Sequence, residues 1–140
     1  MDICIFCKIV LGEIQSVKVY EDAEFLAFLD NGPVSPGHTL LIPKNHFDRF
    51  DLTPPELVGR LYQLVRTVAP AIARAMGADG FNASLNNGRA AGQIVFHTHV
   101  HIIPRKAKDG LAAWPRLDGP VELDQLGQVI RAALKEASSQ

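Results

Sequence analysis

Three histidines, His97, His99 and His101, recur at every second position of the run Phe96-His97-Thr98-His99-Val100-His101-Ile102-Ile103-Pro104. Side chains of a strand alternate between faces. A strand over Val95 to Pro104 therefore puts the three imidazoles on one face and Thr98, Val100 and Ile102 on the other, against a core. Adjacent imidazoles repel one another once charged and gain little without a ligand. Three readings follow. One is a solvated, tag-like cluster. A second is a three-histidine metal site, since H-x-H pairs are common zinc ligands. A third is nucleophilic attack by an imidazole at phosphorus. Upstream lies the loop Asn86-Asn87-Gly88-Arg89-Ala90-Ala91-Gly92-Gln93. Its small residues let backbone N–H groups approach an anion, and Asn86 and Gln93 add amide donors, which suits a phosphate pocket.

A second group with chemistry is the C-x-x-C pair Cys4 and Cys7. Two cysteines are too few for a disulfide framework, and the spacing suits a redox pair or half a zinc site. A thioredoxin-like pair follows a first strand and opens a helix. No strand precedes Cys4, which favours metal.

The elements that position these groups are legible as periodicities. Val17 to Tyr20 and Phe25 to Leu29 read as strands joined by the polar loop Glu21–Glu24. Thr39 to Ile42 is an apolar strand ended by Pro43. Thr53-Pro54-Pro55-Glu56 reads as a helix start, with Thr53 capping and Glu56 completing a capping box. Leu57, Leu61, Leu64, Val65, Val68, Ile72 and Met76 continue it at helical spacing, Gly77 ends it, and Pro70 predicts a kink or two shorter helices. Phe81 to Leu85 is another strand. Leu123, Leu126, Val129, Ile130, Ala133 and Leu134 predict a C-terminal helix, after which Ala137–Gln140 frays. Strands joined by short turns, with helices set apart, make an α+β fold with an antiparallel sheet, in a single domain over residues 1–140.

The chain has 140 residues, 47% apolar and 21% charged, which suits a globular core without staples. A net charge of −1 gives no basic field for nucleic acid, so no nucleic-acid partner is expected. No run approaches the ~18 apolar residues of a membrane span, so none is expected there either. The first ten residues lack a basic n-region, which predicts a cytoplasmic protein.

The segment Gly92–Ile103 resembles the motif of the histidine triad family, His-φ-His-φ-His-φ-φ with φ apolar. So do Cys4–Ile9 with Tyr20–Asp22 and Phe25–Asp30, and Ser35–Phe47. The similarity runs from about Asp2 to Arg105 and is strongest to the nucleotide-binding branch that hydrolyses purine nucleoside phosphoramidates. The resemblance implies an antiparallel sheet with flanking helices and a homodimer with a continuous sheet. It implies that His99 is a nucleophile forming a nucleotidyl-imidazole intermediate, and that His101 contacts the phosphate or leaving group. Asn86, Gly92 and Gln93 match positions lining the phosphate site, and Asp30 matches the acid that binds the ribose hydroxyls. Ile5, Phe6, Ile9, Phe28 and Leu29 match the apolar slot around a purine. His38 matches a position near the active site, as catalytic support or as a hydrogen bond within its loop.

Some relatives carry a structural zinc, whose ligands correspond here to Cys4, Cys7, His46 and His97. The implied activity is hydrolysis at the α-phosphate of nucleoside phosphoramidates or nucleotidylated amines. Alternatives are a dinucleoside polyphosphate hydrolase, a non-catalytic nucleotide-binding module, and a zinc hydrolase using all three histidines. Three departures bear on the choice. Thr98 fills the first φ, Ile94 stands where the phosphoramidate branch often has a serine, and Pro104-Arg105 is similar to the polyphosphate branch.

Overall fold

The computed structural model describes residues 4–112 and 114–138. In chain order the elements are α1 (Ile5–Val10), β1 (Lys18–Glu21), β2 (Phe25–Leu29), β3 (Thr39–Pro43), α2 (Pro55–Ala75), β4 (Gly80–Ser84), β5 (Val100–Arg105) and α3 (Leu123–Ser138). Short 3-10 turns lie at Phe50–Leu52 and Arg89–Ala91. The five strands make one antiparallel sheet in the order β1-β2-β3-β5-β4. This is the expected α+β architecture. By contacts the chain divides into two units, one ending at Asp109 and one beginning at Gly110. The first holds the sheet with α1 and α2, and the second holds α3.

Both faces of the sheet centre are covered, which is why β2 and β3 read as unbroken apolar runs. Phe25, Ala27, Leu41, Val100 and Ile102 pack with Leu57, Leu61, Val65 and Ala69 of α2. Leu26, Phe28, Leu40 and Ile42 face the other way and pack with Phe6 and Ile9 of α1. Leu61 is fully buried, and truncating it to alanine costs about 2–5 kcal/mol. The alternation along β5 sends Val100 and Ile102 to the α2 side, so His101 falls on the α1 side.

Four local expectations need correction. Helix α2 is capped by Pro54 with no side-chain bond. The Thr53 hydroxyl instead lies 2.8 Å from Thr98 Oγ1 and donates to the Arg49 carbonyl at 2.9 Å, so a tertiary contact takes the group the cap would have used. At Pro70 the alternative of two shorter helices is not formed, and α2 runs as one element through it. The carbonyl that loses its helical donor belongs to Arg66, which is exposed and available to water. The strand expected from Val95 begins only at Val100, because the Thr98 N–H leaves the ladder for the Phe47 carbonyl at 2.8 Å. Ala137 and Ser138 continue α3 instead of fraying, with the Ser138 hydroxyl donating to the Lys135 carbonyl. Ser139 and Gln140 lie outside the described residues. Among the described residues no helix is long and apolar enough to cross a membrane.

Candidate active site and metal centre

Thr98 staples the segment before β5 to the segment after β3, its N–H on the Phe47 carbonyl, and this junction seats His97 beside His46, their rings 5.0 Å apart. His99 Nδ1 lies 2.7 Å from the His97 carbonyl. A carbonyl only accepts, so Nδ1 carries the proton and Nε2 keeps its lone pair. His99 is 7% exposed. Burial holds its pKa below the ordinary histidine value, against the opposing pull of the His97 carbonyl and Asp30. The ring is therefore neutral at neutral pH, as a nucleophile must be.

His101 sits on β5 opposite Leu40 of β3 and Ser84 of β4. Its Nδ1 lies 2.9 Å from Nε2 of His38. His38 Nδ1 in turn accepts the Val34 N–H at 3.0 Å. That amide fixes the proton of His38 on Nε2, where it donates to His101 Nδ1, and the proton of His101 is then on Nε2. Burial, with His99 and His38 nearby, pushes the His101 pKa down to about 4. His38 itself is buried and does not line the groove, so its place is behind His101.

His99 and His101 open onto a groove of about 910 Å³. One wall is apolar, from Ile5, Phe6, Ile9, Phe28 and Leu29, as expected for a base slot. Asp30, Asn86 and Gly92 lie on the same groove. The Asp30 carboxylate accepts the Gly32 N–H at 2.8 Å, which fixes one of its oxygens. Gly88 and Gly92 bracket the 3-10 turn with φ of 93° and 95°, a conformation that demands glycine. Gln93 departs from its expected role. It is 3% exposed and absent from the groove wall. Its Oε1 accepts the Gly88 N–H at 2.8 Å, and its Nε2 donates to the Asp48 and Val95 carbonyls at 2.8 and 3.1 Å. The amide is spent shaping the loop.

The metal set comes together as expected. Donor atoms of Cys4, Cys7, His46 and His97 all lie within 4.8 Å of one another. His97 Nδ1 is 3.5 Å from Cys4 Sγ and 3.6 Å from Cys7 Sγ, and His46 Nδ1 is 3.3 Å from Cys7 Sγ. A tetrahedral zinc with ordinary Zn–S and Zn–N lengths separates its S and N ligands by about 3.5 Å. The tautomers agree with metal binding. His97 Nε2 donates to the Pro43 carbonyl at 2.7 Å and His46 Nε2 donates to Asp48 at 2.7 Å. Both Nδ1 lone pairs therefore face the thiols, with each far nitrogen anchored as metal-ligating histidines require.

Asp30, His38 and His101 also converge within 4.8 Å. They fit a metal poorly. Coordination through His38 Nε2 would move its proton to Nδ1, against the Val34 N–H. This trio is a hydrogen-bond chain. The residues that orient the histidines, Val34, Pro43 and Asp48, were not singled out by sequence. Asp48, two positions after His46, carried the one available signal. Gln15, Ser16 and Asn31 on the groove carried none.

The HIT domain family model matches residues 11–108. The chain is 50% identical over 110 residues to adenylylsulfatase HINT3 of Arabidopsis thaliana, covering 79% of this chain and 56% of that protein. The chain thus spans little more than half of that relative's length. It is 43% identical over 135 residues to adenosine 5'-monophosphoramidase hnt1 of Schizosaccharomyces pombe, covering 94% of this chain and 98% of that one. The crystal structure of a Zn-bound histidine triad family protein from Mycobacterium smegmatis superimposes with a TM-score of 0.76 at 39% identity, covering 99% and 97% of the two chains.

Proposed function

The chain belongs to the HIT domain family, and from that premise we propose that it is a nucleotide hydrolase in which His99 attacks the α-phosphate of a purine nucleotide derivative. The observation that carries this reading is the 2.7 Å bond from His99 Nδ1 to the His97 carbonyl, which leaves Nε2 as a bare lone pair on the groove. The N–P bond forms as the bond from phosphorus to the leaving group breaks. Water then cleaves the nucleotidyl-imidazole, releasing the nucleotide and restoring His99. His101 presents its Nε2–H to a phosphoryl oxygen or to the departing atom. His38 positions His101. Asn86 and Gly92 line the phosphate end, Asp30 takes the ribose, and the apolar wall with Phe6 and Phe28 takes the base.

The adenylyl group is common to the substrates named in the two relatives, and the leaving groups differ. An amine leaves only with a proton. Sulfate leaves as an anion without one. The exposed Ile94 offers no hydroxyl to protonate an amine, which favours testing adenylyl sulfate beside adenosine 5′-phosphoramidate. Cys4, Cys7, His46 and His97 hold a structural zinc in this reading. Its four protein ligands close the coordination shell, so its contribution is to tie α1 to the sheet. The active form is a homodimer with a continuous sheet.

The test is turnover of both substrates, with protein denatured at alkaline pH, where a P–N bond to imidazole survives, examined by mass spectrometry. A gain of one nucleotidyl group in wild type, absent from His99→Ala, supports the reading. Turnover that persists in His99→Ala overturns it.

A further inference from the structure

α1 is only six residues long, too short to hold its shape by its own hydrogen bonds. It touches two centres at once. Cys4, its N-cap, and Cys7 belong to the metal set, while Ile5, Phe6 and Ile9 line the groove. The side chain between the two centres is Phe6, 6% exposed. Its ring meets His97 at 5.9 Å, His99 at 5.2 Å and Phe28 at 5.3 Å, each edge to face. One ring therefore packs on a metal ligand, on the nucleophile and on the base slot.

We infer that metal and nucleotide binding are coupled through α1, with Phe6 as the positioning residue that transmits the coupling. The inference rests on the function and the zinc site proposed above. A metal on Cys4 and Cys7 fixes the end of α1, and with it the seat of Phe6. A nucleotide packed on Phe6, Ile5 and Ile9 fixes the same helix from the other side. Each ligand then lowers the ordering cost of the other, and the effect must be equal in both directions.

The probes are Zn²⁺ and AMP with the full-length, zinc-loaded protein. Zinc transfer to a chromogenic chelator is measured with and without saturating AMP, and AMP binding is measured separately by equilibrium dialysis. Saturating AMP is expected to tighten zinc retention about tenfold. Because Phe6 lines the base slot, Phe6→Leu weakens AMP binding, so AMP is raised to the saturating level that dialysis fixes for the variant; at that level zinc is held and the effect of AMP on its retention falls below about twofold. Bound AMP that leaves zinc retention unchanged overturns the coupling. Phe6→Leu with the full AMP effect, the outcome for a merely structural side chain, overturns the role of Phe6. A protein that holds zinc and binds no AMP overturns the proposed function, and one that binds AMP and holds no zinc overturns the metal reading. The inference falls with either.

Discussion

His46 and His97 present Nδ1 to a pair of thiols and tie Nε2 to a backbone carbonyl or a carboxylate. His99, only two residues on, does the reverse. It ties Nδ1 to a carbonyl and leaves Nε2 for the groove. The residue type is the same and His97 is buried like His99, yet one set is closed by sulfur and the other opens on a cavity. The difference comes from where a single acceptor sits. A carbonyl or carboxylate beside one ring nitrogen decides which nitrogen is free: Nδ1 toward the thiols in the two proposed ligands, Nε2 toward the groove in the proposed nucleophile.

That contrast is broken most severely by His99→Ala. Turnover should fall by at least about 10³-fold with the melting temperature little changed. Stopped-time assays and calorimetry on the same samples check both halves. Cys7→Ser should do the opposite. Zinc content by elemental analysis drops to background, and the melting temperature falls by about 10 °C or more, while turnover per folded molecule changes far less than in His99→Ala. Equal effects on both quantities in both variants would erase the distinction between the two sets.

His38→Asn sharpens it at lower amplitude. It removes the Nε2 donor that fixes the tautomer of His101. The expected result is a fall in kcat of about 10²-fold with little change in KM and no loss of zinc. The smallest effect is pH-dependent stability. The folded protein holds His101 at a pKa of about 4, chiefly by burial, whereas the unfolded chain has the ordinary value near 6.5. Below pH 6.5 the unfolded state binds the proton first, so stability falls as pH drops from about 6.5 to 4. Solvent in the groove screens part of the shift, leaving a contribution on the order of 1 kcal/mol. Denaturant melts of wild type and His101→Gln across that range should show a shallower slope in the variant.

Much of this architecture was legible from local pattern. The buried face of α2 follows its helical period, and β2 and β3 announce themselves as apolar runs. The histidine and cysteine spacing, with the family resemblance, singled out all four metal candidates. What escaped depends on partners distant in sequence. Thr53 reads as a cap until Thr98, 45 residues away, claims its hydroxyl. The histidine run reads as one strand until the Phe47 carbonyl takes the Thr98 N–H. Gln93 reads as a phosphate ligand until Asp48 and Gly88 use up its amide. Thr98, Phe47 and Asp48, which decide these three cases, all lie far outside a window of ten residues from the groups they claim.

The same dependence on distance has a consequence during synthesis. Cys4 and His97 stand 93 residues apart, and the histidine segment is the last part of the cluster to be made. A chain still on the ribosome can offer an ion only its two thiols and His46 until residue 97 has emerged. Closing so long a loop carries an entropic cost that local contacts do not. In the zinc reading, metal capture therefore belongs to the end of folding, and a truncated chain that stops short of His97 has neither the complete set of four candidate ligands nor His99.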